Sequence, residues 1–176
     1  MEKNISKTNI YSGSFLNLDL HKVMLDNGKE AERVVVTHAG AVAIVPIYSD
    51  EIILVEQYRF PVRDYLLEIP AGKLELNEDP YDCAIRELKE ETGCETEKLE
   101  LLTKIATSPG FSDEVIYIYK AVVTKIGTPH PDEDEFVEMK KIKINEIKDY
   151  IKKGKIIDGK TIAALLMILE EEWEDG

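Results

Sequence analysis

The chain has 176 residues, 44% of them hydrophobic and 32% charged, the balance of a globular protein with a core of its own and not of a disordered chain. Its formal net charge of −13 repels phosphodiester backbones and argues against nucleic-acid binding, whereas a small anionic substrate is admissible where metal ions or local Arg and Lys offset the field. Met1 to Asn9 has no apolar signal-peptide core, the run from Ala39 to Ile47 is too short to span a bilayer, and the two cysteines, Cys83 and Cys94, are too few for a disulfide framework, so a cytoplasmic protein with reduced thiols and no membrane partner is expected.

In chain order, Phe15, Leu16, Leu18, Leu20 and Val23 alternate roughly with polar residues and predict a strand. Asp26-Asn27-Gly28 supplies a tight hairpin turn, and Arg33 to Thr37 the returning strand. Residues 1–38 are therefore expected to form a small β unit, which must pack on something else. From Gly40 the pattern changes. Ala41 to Ile47 is a nearly continuous apolar strand, suited to a sheet covered on both faces. Ile52 to Tyr58, Tyr65 to Ile69, Leu99 to Ile105, Val115 to Val123 and Phe136 to Ile144 read as further strands.

Three helices are expected among them. The first runs from Pro80 to Thr92, with Asp79 as N-cap, Pro80 at the first helical position and Gly93 as C-terminal cap. The second runs from Glu146 to Lys153, capped by Asn145 and stopped by Gly154. The third, Thr161 to Trp173, has an apolar face of Ile162, Leu165, Leu166, Ile168 and Leu169. This order predicts an α/β sandwich with a mixed sheet over residues 39–176.

The chemistry concentrates between Gly72 and Cys94. At 100° per residue, Glu87, Glu90 and Glu91 fall within an arc of about 100°. Tyr81, Ala84, Ile85 and Leu88 form the expected buried face, which the acidic stripe borders. Glu87 and Glu91 are like charges at i,i+4, a pairing that destabilises a helix by a few tenths of a kcal/mol. Two readings follow from the charges. One is a solvated acidic face softened by Arg86 and Lys89. The other is a site for Mg²⁺ or Mn²⁺, hard ions commonly shared between carboxylates and substrate phosphates.

Gly72, Glu78, Arg86-Glu87-Leu88, Glu90-Glu91 and Gly93 together resemble the Nudix box: Gly, five residues, Glu, seven residues, then Arg-Glu-apolar-x-Glu-Glu-x-Gly-apolar. Cys94 stands at the last apolar site, where the family usually has Ile, Leu or Val; a buried cysteine behaves as a small hydrophobe. The resemblance to Nudix hydrolases implies a loop–helix–loop in an α/β/α sandwich. It implies that Glu87, Glu90 and Glu91 hold the metal, with the Ala71 carbonyl as a further ligand, and that Arg86 orients a glutamate of the box. The implied reaction is metal-dependent hydrolysis of a nucleoside diphosphate derivative.

Features outside the box resemble the family's ADP-ribose pyrophosphatase branch. Pro109 lies sixteen positions after Gly93, in Ser108-Pro109-Gly110-Phe111, and Glu56-Gln57-Tyr58-Arg59, Leu67-Glu68-Ile69-Pro70-Ala71-Gly72 and Ser112-Asp113-Glu114 match as well. By this resemblance Arg59, Glu68, Gly110 and Glu114 are candidate substrate-binding residues. Arg59 offers a planar fork for adenine or phosphate, and Glu114 an acceptor for a ribose hydroxyl. Arg33 is a candidate for the site of a neighbouring subunit in a homodimer with exchanged N-terminal strands. In the acidic run Asp132 to Glu135, Glu133 is expected as the general base and Glu135 as a supporting metal ligand. His21, His38 and His130 lack ligand spacing and are expected to be structural or surface residues. Hydrolysis of ADP-ribose is the expected activity. The alternatives are another nucleoside diphosphate sugar, such as ADP-glucose or GDP-mannose, and a sensor that binds ADP-ribose without cleaving it. The intact box argues against the sensor, and the charge of −13 argues against mRNA decapping.

Overall fold

In the computed structural model, which describes residues 1–131 and 136–174 and side chains as far as Glu170, the chain divides into two compact units. The first comprises Met1–Gly40 with Ala106–Val115, and the second Ala41–Ile105 with Ile116–Gly176. In the first unit β1 (Lys3–Ser12), β2 (Leu16–Met24) and β3 (Glu30–His38) make an antiparallel sheet in the order β1-β2-β3. Strand β1 escapes a hydrophobic-pattern reading because it has no covered face: all ten of its residues are exposed. Main-chain pairing with β2 holds it, helped by a carboxylate. Asp19 is 1% exposed, accepts a hydrogen bond from Asn9 at 2.9 Å and pairs with Lys7 at 2.8 Å. The other edge of β3 takes up the second segment of the unit. The Val36 N–H donates to the Phe111 carbonyl at 2.7 Å, and the Asp113 N–H to the Val36 carbonyl at 3.2 Å.

The second unit is built on β4 (Ala41–Tyr48), the apolar run. Around it stand β5 (Glu51–Arg59), β6 (Asp64–Glu68), β7 (Ala71–Lys73), β8 (Cys94–Ala106), β9 (Val115–Ile126) and β10 (Val137–Lys143), in a mixed sheet of order β10-β5-β4-β9-β8, with β6 beside β5 and β7 beside β4. The β4–β9 pair is parallel, and the β4–β5 pair antiparallel. Alternation along β4 feeds two cores. Ala41, Ala43 and Val45 face one, with Ile147 and the buried residues Ala164, Leu165, Ile168 and Leu169; Val42 and Ile44 face the other, with Cys83, Ala84 and Leu88. That is the physical reason the run is apolar throughout: both faces of the strand are covered.

Helix α1 spans Pro80–Thr92, α2 Ile147–Lys152 and α3 Gly159–Glu174. Two expectations change. Asn145 does not cap α2; it lies in a 3₁₀ turn, Ile144–Glu146, that carries the chain off β10, and α2 starts without a side-chain cap. Leu166 is 47% exposed, so the buried face of α3 is narrower than its apolar residues suggested. Among the described residues no helix is long and apolar enough to cross a membrane.

Candidate active site

Helix α1 starts and stops on the residues its sequence offered. The Asp79 carboxylate accepts the Tyr81 N–H at 2.8 Å, and Gly93, at φ 66°, turns the chain out of the helix. A side chain at Gly93 is also sterically excluded, because a Cβ there would stand 2.7 Å from the Gly127 backbone. The helix is rotated from its expected setting. Cys83, Ala84, Glu87, Leu88, Glu91 and Thr92 are buried, while Tyr81 and Ile85 are 42% and 41% exposed. Glu87 and Glu91 therefore lie inside the buried arc and not along its border. Apolar periodicity misplaces the arc because it gives carboxylates no place on a covered face.

Burying carboxylates is unfavourable without partners, and the neighbours of the box supply them. Arg86 sits at the centre. Its Nη1 donates to Glu87 Oε1 at 2.7 Å and to Glu90 Oε2 at 2.9 Å. Its Nε and Nη2 grip Glu78 at 2.9 and 3.0 Å, so one guanidinium ties the loop before α1 to two helix carboxylates. Glu91 reaches the other way, and its Oε2 accepts the Ala71 N–H at 3.0 Å. Gly72 completes the arrangement. A Cβ at this position would fall 1.8 Å from the Glu87 carboxyl carbon, so the strand entering the box can lie against Glu87 only because residue 72 has no side chain. Gly72→Ala is expected to displace Glu87 and raise the metal concentration needed for half-maximal activity by roughly 10–100-fold. The thermal midpoint should change little, because the obstacle is the end of a movable side chain. A metal titration that matches wild type would remove Glu87 from the site.

The hydrogen bonds from Arg86 hold the Glu78 carboxyl at about 2, below its ordinary 4.5. A depressed folded-state value means that the stabilisation is complete above the unfolded value and is lost as pH falls through the folded one. The pairing should therefore weaken between about pH 4.5 and 2. Thermal midpoints measured across that window should fall less steeply for Glu78→Gln than for wild type. Parallel curves would show that Glu78 does not contribute.

Arg59 and Glu68, both candidates for substrate, bind each other. Arg59 Nε and Nη2 donate to the two Glu68 oxygens at 2.7 and 2.9 Å, and Lys160 adds a further bond to Glu68 Oε2. Glu68 is 2% exposed. Burial pushes its carboxyl up, but the Arg59 hydrogen bonds and the Lys160 charge outweigh it and hold the group below the usual glutamate value. With both acceptors engaged, Glu68 is placed to orient Arg59, whose Nη1 makes no bond among the described residues. Arg59→Lys keeps a cation beside Glu68 but removes the fork. If Nη1 meets the nucleotide, KM for a nucleoside diphosphate sugar should rise ~5–150-fold, equivalent to roughly 1–3 kcal/mol of charged hydrogen bonding. An unchanged KM places Arg59 outside the binding surface.

The remaining candidates are distributed elsewhere. Arg33, in the first unit, is paired with Glu2 at 2.5 Å. Glu114, in the same unit, accepts the Thr107 hydroxyl at 2.6 Å and stands 3.6 Å from His38 Nδ1. Gly110 lies in the turn where the Ser108 carbonyl accepts the Phe111 and Ser112 N–H groups at 3.0 and 2.9 Å. Glu133 and Glu135 lie outside the described residues. Sequence reasoning passed over Lys160 and Thr161. The one signal available for them was Asp158 three positions before Thr161, a helix-capping spacing.

Among the described residues no three His, Cys, Asp or Glu side chains are grouped as a ready-made ion cage. Glu87 and Glu90 are turned to Arg86, and Glu91 to Ala71. In kind the donors suit a hard divalent cation: carboxylate oxygens from one helix face, beside a strand kept clear by Gly72.

This fold and this box define a Nudix domain. The family model "NUDIX domain" matches residues 37–165, and the chain belongs to that family, whose hydrolases in general need a divalent metal. It is 44% identical over 174 residues to a methanol dehydrogenase activator of Bacillus methanolicus, covering 97% of this chain and 94% of the relative. It is 40% identical over 167 residues to an ADP-ribose pyrophosphatase of Bacillus subtilis (strain 168), covering 93% and 90%. A crystal structure of an ADP compounds hydrolase superimposes with a TM-score of 0.85 at 23% identity, over 99% of this chain and 96% of the other, a likeness of fold.

Proposed function

We propose that the protein hydrolyses the diphosphate of ADP-ribose to AMP and ribose 5-phosphate, with Mg²⁺, or Mn²⁺ in its place. The observation that carries this reading is the box itself: Arg86 gathers Glu78, Glu87 and Glu90, and Glu91 binds the Ala71 N–H, in a chain 40% identical to an ADP-ribose pyrophosphatase. Glu87, Glu90, Glu91 and the Ala71 carbonyl would hold the metal, with Glu135 in support. When bound, such an ion neutralises diphosphate charge and makes a bound water more acidic. The protein's part is to place those oxygens, with Arg86 orienting the carboxylates and Arg59 gripping the nucleotide. Glu133, in the acidic run Asp132 to Glu135, takes the proton of the attacking water in this reading. Gly110 and Glu114 are further substrate contacts in this reading, and Arg33 serves a partner subunit of a cytoplasmic homodimer. The exposure of β1 along its whole length supports such an exchange. Incubating the protein with a panel of nucleoside diphosphate sugars and Mg²⁺, and separating the products by chromatography, tests the reading. Faster cleavage of ADP-glucose or GDP-mannose would reassign the substrate.

A second reading is favoured by the relative named as a methanol dehydrogenase activator. In it, the chain raises the turnover of a dehydrogenase. Adding the protein to purified methanol dehydrogenase tests this. Unchanged turnover, alongside rapid ADP-ribose cleavage, would leave the first reading standing alone.

A further inference from the structure

Between β6 and β7 the chain passes from one partner strand to another. Strand β6 pairs with β5 as far as Glu68, and β7 pairs with β4 from Ala71 onward. Ile69 and Pro70 are the two residues of the crossing, and no strand ladder serves the Ile69 N–H. Ile69 is 1% exposed, and a buried donor left unpaired is destabilising. The partner comes from 92 positions further along: the Thr161 hydroxyl, itself fully buried, accepts the Ile69 N–H at 3.0 Å. That hydroxyl donates in turn to Asp158 Oδ2 at 2.6 Å, which also accepts the Thr161 N–H at 2.9 Å and the Lys160 ammonium at 3.0 Å. Lys160 reaches back to the Glu68 carboxylate. Pro70 has no N–H, biases Ile69 toward extended backbone, and gives its carbonyl to the Ile44 N–H at 2.9 Å. The next donor, the Ala71 N–H, is the one bound by Glu91.

We propose that Asp158, Lys160 and Thr161, at the start of α3, are positioning residues that fix the Glu68–Gly72 crossing and thereby set the Ala71 peptide and the Glu91 carboxylate in the geometry the metal needs. The proposal rests on the metal site described above. The bonds of the trio run to one another, to the Ile69 N–H and to the Glu68 carboxylate, so each would act through the strand crossing. Their buried hydrogen bonds leave the crossing one backbone path, so loosening it at Ile69 frees the peptide that Glu91 grips two residues on.

The test uses the full-length protein and Mn²⁺ alone, followed by electron paramagnetic resonance, with amide hydrogen exchange at Ile69 and Ala71 measured separately without metal. Thr161→Val removes the hydroxyl and Thr161→Ser restores it. Thr161→Val is expected to weaken Mn²⁺ binding by roughly 10–100-fold, as loss of a group supporting a metal ligand does, and to speed exchange at both amides. Thr161→Ser should return both readouts to near wild type. Should Thr161→Val not fold, Lys160→Gln keeps the hydroxyl and removes one of the two cations on Glu68; it too should weaken Mn²⁺ binding and speed exchange at Ala71. Wild-type Mn²⁺ affinity together with wild-type exchange at Ala71 in the variants that fold would overturn the proposal. Failure of the wild-type protein to bind Mn²⁺ would instead overturn the metal site on which it rests.

Discussion

Glu91→Gln is expected to lower kcat by at least ~10²-fold while leaving the fold intact. The amide keeps an oxygen able to accept the Ala71 N–H, so the contact at 3.0 Å survives and the loop before the box stays in place. What disappears is one negative charge from the group of carboxylates that would hold the metal. Glu91 is 3% exposed, so water has little access with which to make up the loss. Two readouts separate the effects. Without metal, the variant should be as stable as wild type or slightly more so, since a like-charge i,i+4 pair with Glu87 is relieved by a few tenths of a kcal/mol. With saturating Mg²⁺, its turnover of ADP-ribose should stay low, because an ion held by fewer carboxylates would be less firmly placed against the diphosphate and the attacking water. Near-wild-type turnover would mean that Glu91 holds a backbone amide and nothing more.

The box was legible because its constraints are local. Asp79, Pro80 and Gly93 each satisfy a helix-end requirement within the helix, so α1 begins and ends where its sequence says. The unbroken apolar run of β4 was legible for the same reason, because both its covered faces are written into the residues; β2 was legible as a strand from its rough alternation, but its buried residues are Asp19 and Val23, with Leu16, Leu18 and Leu20 only partly covered. Four features were not legible. Strand β1 has no covered face to write. Strand β7 is a three-residue ladder fixed by its neighbour β4, not by its own composition. The buried setting of Glu87 and Glu91 depends on Arg86 and on a backbone N–H from another strand, and hydrophobic periodicity carries no information about either. The Thr161–Ile69 bond lies furthest from view, since a threonine at a helix start reads as capping and its partner is remote in sequence. Arg59 and Glu68 illustrate a milder failure: both were singled out for substrate, and their mutual pairing became visible only in three dimensions.

The largest loss is expected in the acidic run Asp132 to Glu135 that follows β9 in sequence. A general base must reach the attacking water and carry a suitable pKa. Carboxylates that hold a metal serve poorly, since coordination draws off their charge. The run Asp132 to Glu135 lies outside the described residues, but both of its flanks are tied to the second unit. On entry, the His130 N–H donates to the Glu90 carbonyl at 2.8 Å, in the last turn of α1. On exit, Val137 and Glu138 pair with Gln57 and Glu56 of β5. The residues on either side of the acidic run thus bond to the helix that carries the box and to the strand that carries Arg59, which supports that run as the source of the base. Sequence spacing alone offered no such anchor. Glu133→Gln is expected to cut kcat by about 10²–10⁴-fold, the range for loss of a general base, with Mn²⁺ and ADP-ribose affinity changed far less. Glu135→Gln should instead raise the metal concentration required for activity. Measuring kcat, metal demand and ADP-ribose affinity for both variants separates the two roles. A larger kcat loss in Glu135→Gln at normal metal demand would exchange the assignments. Full activity in both would move the search for the base to Glu87, Glu90 and Glu91, and would require one of them to be released from metal and from its contact with Arg86 or with the Ala71 N–H during the reaction.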